Sequence, residues 1–482
     1  MTGNLVDLRG ITKMYGEVVA NRDVALRLRP GEVHALVGEN GAGKSTLSKI
    51  LYGLVHPDAG EIRVRDRRIP RMTVARAIEL GIGMVHQHFM LVPALSVVEN
   101  IVLGREPTQM GMLDLGRAAK ELQDLGTKFG IDVDPWRNVE YLSVGEAQRV
   151  EILKVLWRGA EILVLDEPTA VLTPPEAREL YRIVRALVSD GKTCLLITHK
   201  LDEVMAAGDR VTVMRRGQVV LEADTKRASS DEIARAMVGR TVELPQRTPP
   251  EKPPTEVVLD VRELSAGRAL RGVSLQVRAG EIVGIAGVEG NGQTELVLAI
   301  ADLVHHDGGT IVGPPAAHIP EDRHGRGLVL EFTVAENSIL GRQHEIWGWE
   351  RVGKHAQDIV SKWDVRPADP EVPTRTLSGG NQQKLVVARE LGRGAKLILA
   401  AQPTRGVDLG AIELIHRKLL EARAGGAAIL LVSAEISELR ALADRILVFY
   451  RGQVVASLDG TVATEDEIGL AMTGARAKEA AS

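Results

Sequence analysis

The fold of this chain is decided by one stretch near its start, Gly38-Glu39-Asn40-Gly41-Ala42-Gly43-Lys44-Ser45-Thr46. It follows the apolar run Val33–Val37, typical of a buried strand, and leads into a segment that predicts a helix from Ser45 to Tyr52. The residues fit the pattern G-x-x-x-x-G-K-[ST], and strand, glycine-rich turn and helix in this order are the context that the pattern requires. We therefore predict a phosphate-binding loop; the alternative is a glycine-rich turn that fits the pattern by chance.

The residue types in this loop suit a nucleotide phosphate. Glycines let the backbone N–H groups point towards the phosphate, and the start of the helix adds partial positive charge. The ammonium of Lys44 can reach the β- and γ-phosphates, and the hydroxyl of Ser45 can bind Mg²⁺. The predicted nucleotide-binding residues of the loop are Gly38, Asn40, Gly41, Gly43, Lys44, Ser45 and Thr46.

Two acidic residues end another apolar run, Ile162–Leu165. Beside a phosphate-binding loop, Asp166 is expected to hold Mg²⁺, partly through water, and Glu167 to act as the general base that polarises the attacking water. The alternative is an acidic strand end that caps a helix. Two further side chains are weaker candidates: His199 for the γ-phosphate, although it could be structural, and Tyr15 for stacking on adenine, although it could be a packing residue.

Length and composition limit the class of protein. The chain has 482 residues, too many for one core, and its formal net charge of −4 does not indicate a general nucleic-acid surface. The single cysteine, Cys194, lies in an apolar run, and we expect it to be buried in a strand of a protein from a reducing compartment. The sequence predicts neither a secretory signal nor a membrane span, so we expect a soluble protein that can still dock on a membrane protein.

The chain contains an internal repeat. Gly31–Gly38 matches Gly280–Gly287 at an offset of 249 positions, whereas Leu165–Thr169 matches Ala400–Thr404 at an offset of 235 positions, as do two other landmarks. We predict a first domain at 1–242, an extended linker with five prolines at 243–256, and a second domain at 257–482. Continuous apolar runs alternate with helical segments in each half, which predicts an α/β fold with a mostly parallel sheet.

The class of nucleotide-binding protein is indicated by the motif Leu377-Ser378-Gly379-Gly380-Asn381-Gln382. Its counterpart in the first half is Leu142-Ser143-Val144-Gly145-Glu146. Both resemble the LSGGQ signature of ATP-binding-cassette (ABC) nucleotide-binding domains. The resemblance implies two P-loop cassettes, each with a mostly parallel core sheet and a helical subdomain. It also implies an intramolecular cassette dimer, in which each ATP lies between the phosphate-binding loop of one cassette and the signature of the other.

Under this resemblance the first composite ATP site keeps every element of the family pattern. Catalysis would involve Glu167, His199, Lys44 and Gln87, and Mg²⁺ would be bound by Ser45, Gln87 and Asp166. The second half would contribute Ser378 and Gly380 of the signature together with Asp408.

The second composite site departs from the pattern at most positions. It would bind nucleotide through Gly287, Gly292 and Thr294, but Gln293 stands in the lysine position, Ala401 and Gln402 replace the acids, and Ala434 replaces the histidine. Its signature, from the first half, has Val144 and Glu146 in place of Gly and Gln, and Thr173 stands at the position of Asp408. We therefore expect ATP hydrolysis at the first site only. The contrary view is that Glu321, at the position of Gln87, or another acid substitutes.

The tandem arrangement resembles the ATPase subunit of bacterial importers for simple sugars, and several stretches, among them Val85–Pro93, are similar to the nucleoside-importing branch. The resemblance implies two integral-membrane permeases, a substrate-binding lipoprotein or periplasmic protein, no nucleic-acid partner, and a peripheral location on the cytoplasmic face of the cell membrane. Phe89, Met90 and Leu91 would form a groove for a permease helix or, equally, pack inside the helical subdomain. A metal pair of His86 and His88 is disfavoured, because no other ligands cluster nearby.

Two other classes of protein stay open. One is a soluble tandem ABC ATPase that acts on ribosomes or another macromolecular machine. The short proline-rich linker and the degenerate second site argue against it, because translation-type members usually keep both sites and join them by a long charged helix. The other is a regulatory ATP-binding protein without a transporter. Neighbouring genes for two permeases and a lipoprotein would favour the importer over both.

Overall fold

The computed structural model describes residues 3–87, 89–109, 112–170, 172–240, 244–248, 256–288, 290–346 and 348–474. The chain divides into two compact units, Met1–Val242 and Glu243–Ser482. The predicted linker lies in the second of these units, and only 244–248 and 256 of it are described. There the N–H of Arg247 donates to the carbonyl of Ala441 at 2.9 Å, so this part of the linker contacts the second unit.

The first unit alternates strands and helices. Its strands are β1 (Val6–Tyr15), β2 (Val18–Leu28), β3 (Val33–Val37), β4 (Ala59–Val64), β5 (Arg67–Ile69), β6 (Ile82–Val85), β7 (Thr108–Gln109), β8 (Met112–Leu113), β9 (Ile162–Asp166), β10 (Thr193–Thr198), β11 (Arg210–Arg215) and β12 (Gln218–Asp224). Its helices are α1 (Lys44–Tyr52), α2 (Val74–Glu79), α3 (Val97–Val102), α4 (Leu115–Phe129), α5 (Val144–Trp157), α6 (Pro174–Ser189), α7 (Leu201–Ala207) and α8 (Ser230–Val238).

The central sheet of this unit has the strand order β12-β11-β3-β10-β9-β6, and every neighbouring pair except β11–β12 is parallel. All residues of β3, β9 and β10 are buried, which is why their sequences are continuous apolar runs rather than alternating ones. The carboxyl ends of these three strands meet at one edge of the sheet, where the candidate site lies.

The second unit repeats this arrangement. Its strands are β13 (Val257–Ala266), β14 (Leu270–Arg278), β15 (Ile282–Ala286), β16 (Gly308–Val312), β17 (Ala316–Ile319), β18 (Leu397–Ala401), β19 (Ala428–Val432), β20 (Arg445–Tyr450) and β21 (Gln453–Asp459). Its helices are α9 (Gln293–Ile300), α10 (Val334–Ser338), α11 (Trp349–Trp363), α12 (Gly379–Leu391), α13 (Leu409–Ala424), α14 (Ile436–Leu442) and α15 (Glu465–Met472). The sheet order β17-β18-β19-β15-β20-β21 places β15 in the position of β3.

Each unit also has an antiparallel sheet, β2-β1-β4-β5 in the first and β14-β13-β16 in the second. In the first unit a cluster of buried side chains, among them Leu8, Leu36, Leu47 and Ile62, joins β1, β3, α1 and β4. A second cluster, with Ile101, Leu122, Ile152 and Leu165, joins α3, α4 and α5 to β9. The phosphate-binding loop therefore connects a strand and a helix that share one packed core.

The predicted α/β architecture is confirmed, and so is the burial of Cys194, which lies in β10 with no exposed surface. The helix expected from Ser45 begins one residue earlier, at Lys44. None of the helices in the described ranges has the length and apolar character that a membrane crossing demands.

Candidate nucleotide-binding sites

The phosphate-binding loop of the first unit connects β3 to α1 and has little room for side chains. Gly43 has φ = 100°, and a Cβ atom there would lie 2.2 Å from the carbonyl oxygen of Ala20. A Cβ atom on Gly38 would lie 2.3 Å from the carbonyl oxygen of Met214. Since real Cβ atoms do not approach so closely, only glycine fits at either position, and the loop backbone stays close to its neighbours.

Lys44 is buried at the base of this loop. Its Nζ donates to the carbonyl oxygens of Gly38 at 2.7 Å and Glu39 at 3.1 Å, so the ammonium is held under the loop. Burial lowers the pKa of Lys44, whereas the charges of Glu167 and Asp166 raise it and leave a smaller net decrease. A partly desolvated ammonium in this position has strong electrostatic attraction for a phosphate.

The other predicted nucleotide contacts of the first unit are accessible. Asn40, Gly41 and Ser45 are exposed, and Thr46 is half-buried. Tyr15, at the end of β1, is 49% exposed, and Nζ of Lys13 lies 5.6 Å from the centroid of its ring. An exposed ring is available for stacking on a base, although the adenine contact itself stays a prediction.

Asp166 is the last residue of β9, and its environment suits a cation ligand. Burial, followed by the charge of Glu167, raises the pKa of Asp166 to about 6. Its buried Oδ1 atom has no hydrogen-bond partner in the described structure. A buried carboxylate oxygen without a donor is energetically unfavourable unless a cation or water satisfies it, so the residues present fit Mg²⁺.

This candidate site differs from an all-protein metal cage. Across the described ranges, no group of three or more His, Cys, Asp or Glu side chains is arranged to hold a metal ion. Mg²⁺ commonly uses one or two carboxylates together with substrate phosphates and water, which agrees with a site of one carboxylate, the hydroxyl of Ser45 and the amide of Gln87. Of the disfavoured histidine pair, His88 lies outside the described residues, and the ring of His86 contacts Tyr52 edge-on.

Glu167 is at the centre of a small hydrogen-bonded group. Gln87 Nε2 donates to its Oε2 at 3.1 Å, and Nδ1 of His199 lies 3.1 Å from its Oε1. Burial raises the pKa of Glu167, but the hydrogen bond and charge of His199 and the charge of Lys44 lower it further, so the net pKa is below its ordinary value. Glu167 is therefore ionised at neutral pH and held in place by two side chains.

The signature of the second unit begins α12. Ser378 caps this helix, with its Oγ accepting from the Asn381 side chain at 2.8 Å. A Cβ atom on Gly380 would lie 2.9 Å from Oδ2 of Asp408, whose Oδ1 accepts from the N–H of Ala411 at 2.8 Å. Gly380 thus lets the starts of α12 and α13 approach each other closely.

In the first unit the corresponding helix, α5, has a different start. Ser143 and Glu146 form a capping box, in which the N–H of Ser143 donates to Glu146 Oε2 at 2.7 Å. Glu146 also forms an ion pair with Arg137 at 2.7 Å. The acid that replaces the usual Gln of the signature is therefore engaged within its own unit.

The second phosphate-binding loop repeats the left-handed glycine before its helix but has a different chemistry. Gly292 has φ = 103°, and a Cβ atom there would lie 2.4 Å from the carbonyl oxygen of Ala269. At the lysine position, Gln293 is buried and its Nε2 donates to the carbonyl of Val288 at 3.1 Å. A Cβ atom on Gly287 would meet the same Nε2 at 2.2 Å. A neutral amide thus takes the place of the ammonium under the loop.

The acidic strand end is also absent in the second unit. Ala401 ends β18, and Gln402 follows it with φ = 49°, which nearly repeats the 47° of Glu167. The side chain of Gln402 accepts from the N–H of Ala434 at 3.1 Å. Neither position offers a carboxylate, so the Mg²⁺ arrangement of the first unit does not fit here.

Two residues that the sequence analysis did not assign also contact these sites. Asn21 is buried and donates from Nδ2 to the carbonyl of Gly43 at 3.1 Å, which fixes the end of the first loop. Arg405 forms an ion pair with Glu321, whose other carboxylate oxygen accepts from Thr294 Oγ1 at 3.1 Å. Alignment of the two halves could have indicated Arg405, because the first copy has Ala170 at this position.

Two glycine-rich loops of the phosphate-binding pattern, two signature helices capped by serine and one acidic strand end, all in one chain, define a tandem P-loop ATPase. The sequence model of the ABC transporter family matches residues 21–170 and 270–405. The chain belongs to the ABC transporter family, as an ATP-binding protein and ATPase. This confirms the resemblance on which the sequence analysis relied.

Curated relatives match almost the whole chain. The nucleoside import ATP-binding protein of Lactococcus lactis subsp. cremoris is 44% identical, over 98% of this chain and 99% of that protein. The guanosine import ATP-binding protein of Bacillus subtilis is 45% identical, over 99% of this chain and 98% of that protein. A ribose import ATP-binding protein of Rubrobacter xylanophilus is 42% identical, over 98% of this chain and 99% of that protein. Relatives at this level are ATP-binding subunits of importers.

Among solved structures, an archaeal ribosome recycling factor in complex with a ribosomal stalk protein has a TM-score of 0.64. The match covers 93% of this chain and 90% of that one, at 20% identity. At this identity the likeness supports the fold alone. The sequence relatives therefore favour the importer over the ribosomal alternative.

Proposed function

We propose that this chain is the ATP-hydrolysing subunit of an importer for a nucleoside or a simple sugar, with one competent and one degenerate ATP site. The observation that carries the proposal is the contrast between two equivalent strand ends. Glu167 is ionised and held by Gln87 and His199 beside the unpartnered oxygen of Asp166. The equivalent strand end of the second unit has only Ala401 and the engaged amide of Gln402.

The side chains of the first site have separate roles in hydrolysis. Lys44 neutralises charge on the β- and γ-phosphates, and Mg²⁺, when bound, supplies further charge neutralisation there. Glu167 accepts a proton from water as the water oxygen bonds to the γ-phosphorus and the bond to the bridging oxygen breaks, which releases ADP and phosphate. Gln87 and His199 orient Glu167. In the closed form that the family resemblance implies, Ser378 and Gly380 would bind the γ-phosphate, and Asp408 would lie nearby.

The proposed partners are those that an importer needs, and the relatives are import proteins for nucleoside, guanosine and ribose. We propose two integral-membrane permeases, a substrate-binding lipoprotein or periplasmic protein, and a peripheral position on the cytoplasmic face of the membrane. Met90, three residues after Gln87, is 64% exposed while its backbone is held by Glu151 and Lys154. A fixed, exposed apolar side chain suits contact with a permease helix.

The proposal is tested by a Glu167→Gln variant in the complex reconstituted with the proposed permeases. We expect ATP turnover to fall by about 10²- to 10⁴-fold, because the general base is lost, while ATP remains bound. Uptake of labelled guanosine, with ribose as the comparison cargo, should fall in parallel. Steady-state hydrolysis, equilibrium dialysis and vesicle uptake measure the three quantities.

A matched control is Gln402→Glu, which restores an acid at the equivalent position of the second unit and keeps an acceptor for the N–H of Ala434. Turnover should stay within about twofold of the wild type, because Ala401 supplies no metal ligand. If the Glu167→Gln protein keeps its turnover, another base acts and the division into one competent and one degenerate site is wrong.

A further inference from the structure

In the degenerate site of the second unit, a position that binds the metal in the proposed first site carries an acid, and this acid is paired with an arginine. Thr294 and Glu321 stand where the first unit has Ser45 and Gln87. Glu321 Oε2 accepts from Thr294 Oγ1 at 3.1 Å, and Glu321 Oε1 pairs with the guanidinium of Arg405. The hydroxyl is thus kept, whereas the neutral amide of Gln87 is replaced by a carboxylate that pairs with a positive charge.

The backbone of Arg405 is anchored beside the strand end. Its N–H donates to the carbonyl of Gln402 at 3.1 Å, and its own carbonyl accepts from Arg323 Nη1 at 3.1 Å. The side chain is 52% exposed, whereas that of Glu321 is 23% exposed. The guanidinium therefore extends from a fixed backbone towards the start of α9, and about half of the side chain is exposed to solvent.

The charges around the two loops differ in a way that matters for a metal. In the first unit the carboxylates of Asp166 and Glu167 lie near Lys44, and the unpartnered Oδ1 of Asp166 is available to a divalent cation. In the second unit Glu321 is already neutralised by Arg405, and Gln293, Ala401 and Gln402 carry no charge. Because a cation there would meet a paired carboxylate and a nearby guanidinium, the residues do not fit Mg²⁺.

We propose that Arg405 binds the phosphates of ATP at the second loop in place of the divalent cation, so that this site holds ATP without Mg²⁺. The guanidinium would bridge Glu321 and the incoming phosphates, so that the carboxylate keeps its ion pair and offers no free charge to a cation. A guanidinium suits this role, because its planar donors match phosphate oxygens and its charge does not depend on pH. The inference rests on the proposed function, in which the second site does not hydrolyse ATP, and it adds that this site binds ATP.

The test uses the full chain with Lys44→Ala and Tyr15→Ala, which together weaken the first site. Equilibrium dialysis with radiolabelled ATP is carried out with Mg²⁺ and again with EDTA. We expect one ATP per chain and an affinity that changes by less than about threefold on removal of Mg²⁺. Adding Arg405→Ala should weaken binding by about tenfold or more in EDTA, since a charged hydrogen-bonding partner of phosphate is lost.

The matched control is Arg262→Ala, which removes another arginine of the same unit that is 70% exposed and paired with Asp260. It should leave ATP binding unchanged. Adding Glu321→Gln in the same background should strengthen binding, because the amide competes less well than a carboxylate for Arg405.

Binding that disappears in EDTA would overturn the inference and favour Glu321 as a metal ligand. Absence of ATP with and without Mg²⁺ would overturn it as well. Neither result changes the expected loss of turnover in Glu167→Gln, so failure of this inference is distinguishable from failure of the proposed importer ATPase.

Discussion

At the scale of single residues, Asp166 lowers the folding stability of the first unit at neutral pH while it provides a candidate metal ligand. Its carboxylate is buried with one unpartnered oxygen, and burial with the charge of Glu167 raises its pKa from 3.8 to about 6. Between these two pH values the folded protein holds a proton that the unfolded chain has released. Stability therefore falls as pH rises through this window, and the ionised group is unfavourable at pH 7.

We predict that Asp166→Asn stabilises the Mg²⁺-free protein at pH 7 by about 2–3 kcal/mol, since a shift of roughly two pKa units corresponds to this free energy. At pH 4.5 the gain should be much smaller, because folded Asp166 is then largely protonated. Thermal unfolding in EDTA at the two pH values measures both effects. An equal gain at both pH values, or none at pH 7, would contradict the assigned cause. ATP turnover should be lost at either pH.

The role of a side chain could be predicted from the sequence where a short local motif indicates it. Roles that depend on contacts between distant segments could not be predicted in this way. Lys44, Asp166 and Glu167 each follow from a motif of a few residues. The contact between Arg405 and Glu321 joins segments 84 positions apart, and no local pattern indicates that a guanidinium replaces a metal there. The hydrogen bond from Asn21 to the loop carbonyl of Gly43 also joins segments that are distant in the sequence, and no local motif indicates it.

At the scale of elements, the strand–loop–helix unit depends on the close approach of its loop to β2. We predict that Gly43→Ala destabilises the first unit by more than about 2 kcal/mol, because an added Cβ atom combines strain at φ = 100° with an overlap at the Ala20 carbonyl. ATP binding to the Lys44 site should be lost. Thermal unfolding and ATP binding by dialysis provide the measurements.

Gly159→Ala is the control for that prediction. Gly159 has φ = 85°, but a Cβ atom there would meet no atom within 4 Å, so only the backbone strain of about 1 kcal/mol applies. Equal destabilisation by the two substitutions would mean that the close approach to Ala20 is unimportant.

The parallel strands were predictable as elements, but the antiparallel sheets were not. The runs in β9 and β10 are apolar throughout because both faces are covered. By contrast, β2 mixes buried and exposed residues irregularly, and its pairing with β1 contains register shifts. A bulged strand loses the strict alternation on which a sequence-based prediction of an antiparallel sheet depends.

At the scale of the whole molecule, the two units have kept one architecture and diverged in chemistry. The left-handed glycine before the loop helix, the left-handed residue after the strand end and the capped signature helix recur in both units. The ammonium of Lys44 and the carboxylates of Asp166 and Glu167 have no counterpart at the equivalent positions of the second unit. The fold therefore does not require the catalytic groups, because burial of the sheet and helices stabilises each unit without them. Loss of catalytic groups in one unit can leave the other as the site of hydrolysis.

The proposed sharing of sites between units leads to an asymmetric effect of two matched substitutions. Ser378 and Ser143 each cap the signature helix of their own unit, so replacing either with Ala removes a similar cap, worth about 1 kcal/mol. If each ATP is shared head to tail, the serine that serves the competent Lys44 site is Ser378. We predict that Ser378→Ala lowers ATP turnover by about tenfold or more, while Ser143→Ala changes it by less than about twofold.

Steady-state hydrolysis in the reconstituted complex separates these outcomes, and thermal unfolding checks that both variants lose comparable stability. A larger loss in Ser143→Ala would mean that the Lys44 site uses the signature of its own unit or that the second site hydrolyses ATP. Equal losses in both would mean that the serines act through helix stability alone. Only the asymmetric result fits a chain in which one unit supplies the catalytic groups and the other supplies the signature that completes them.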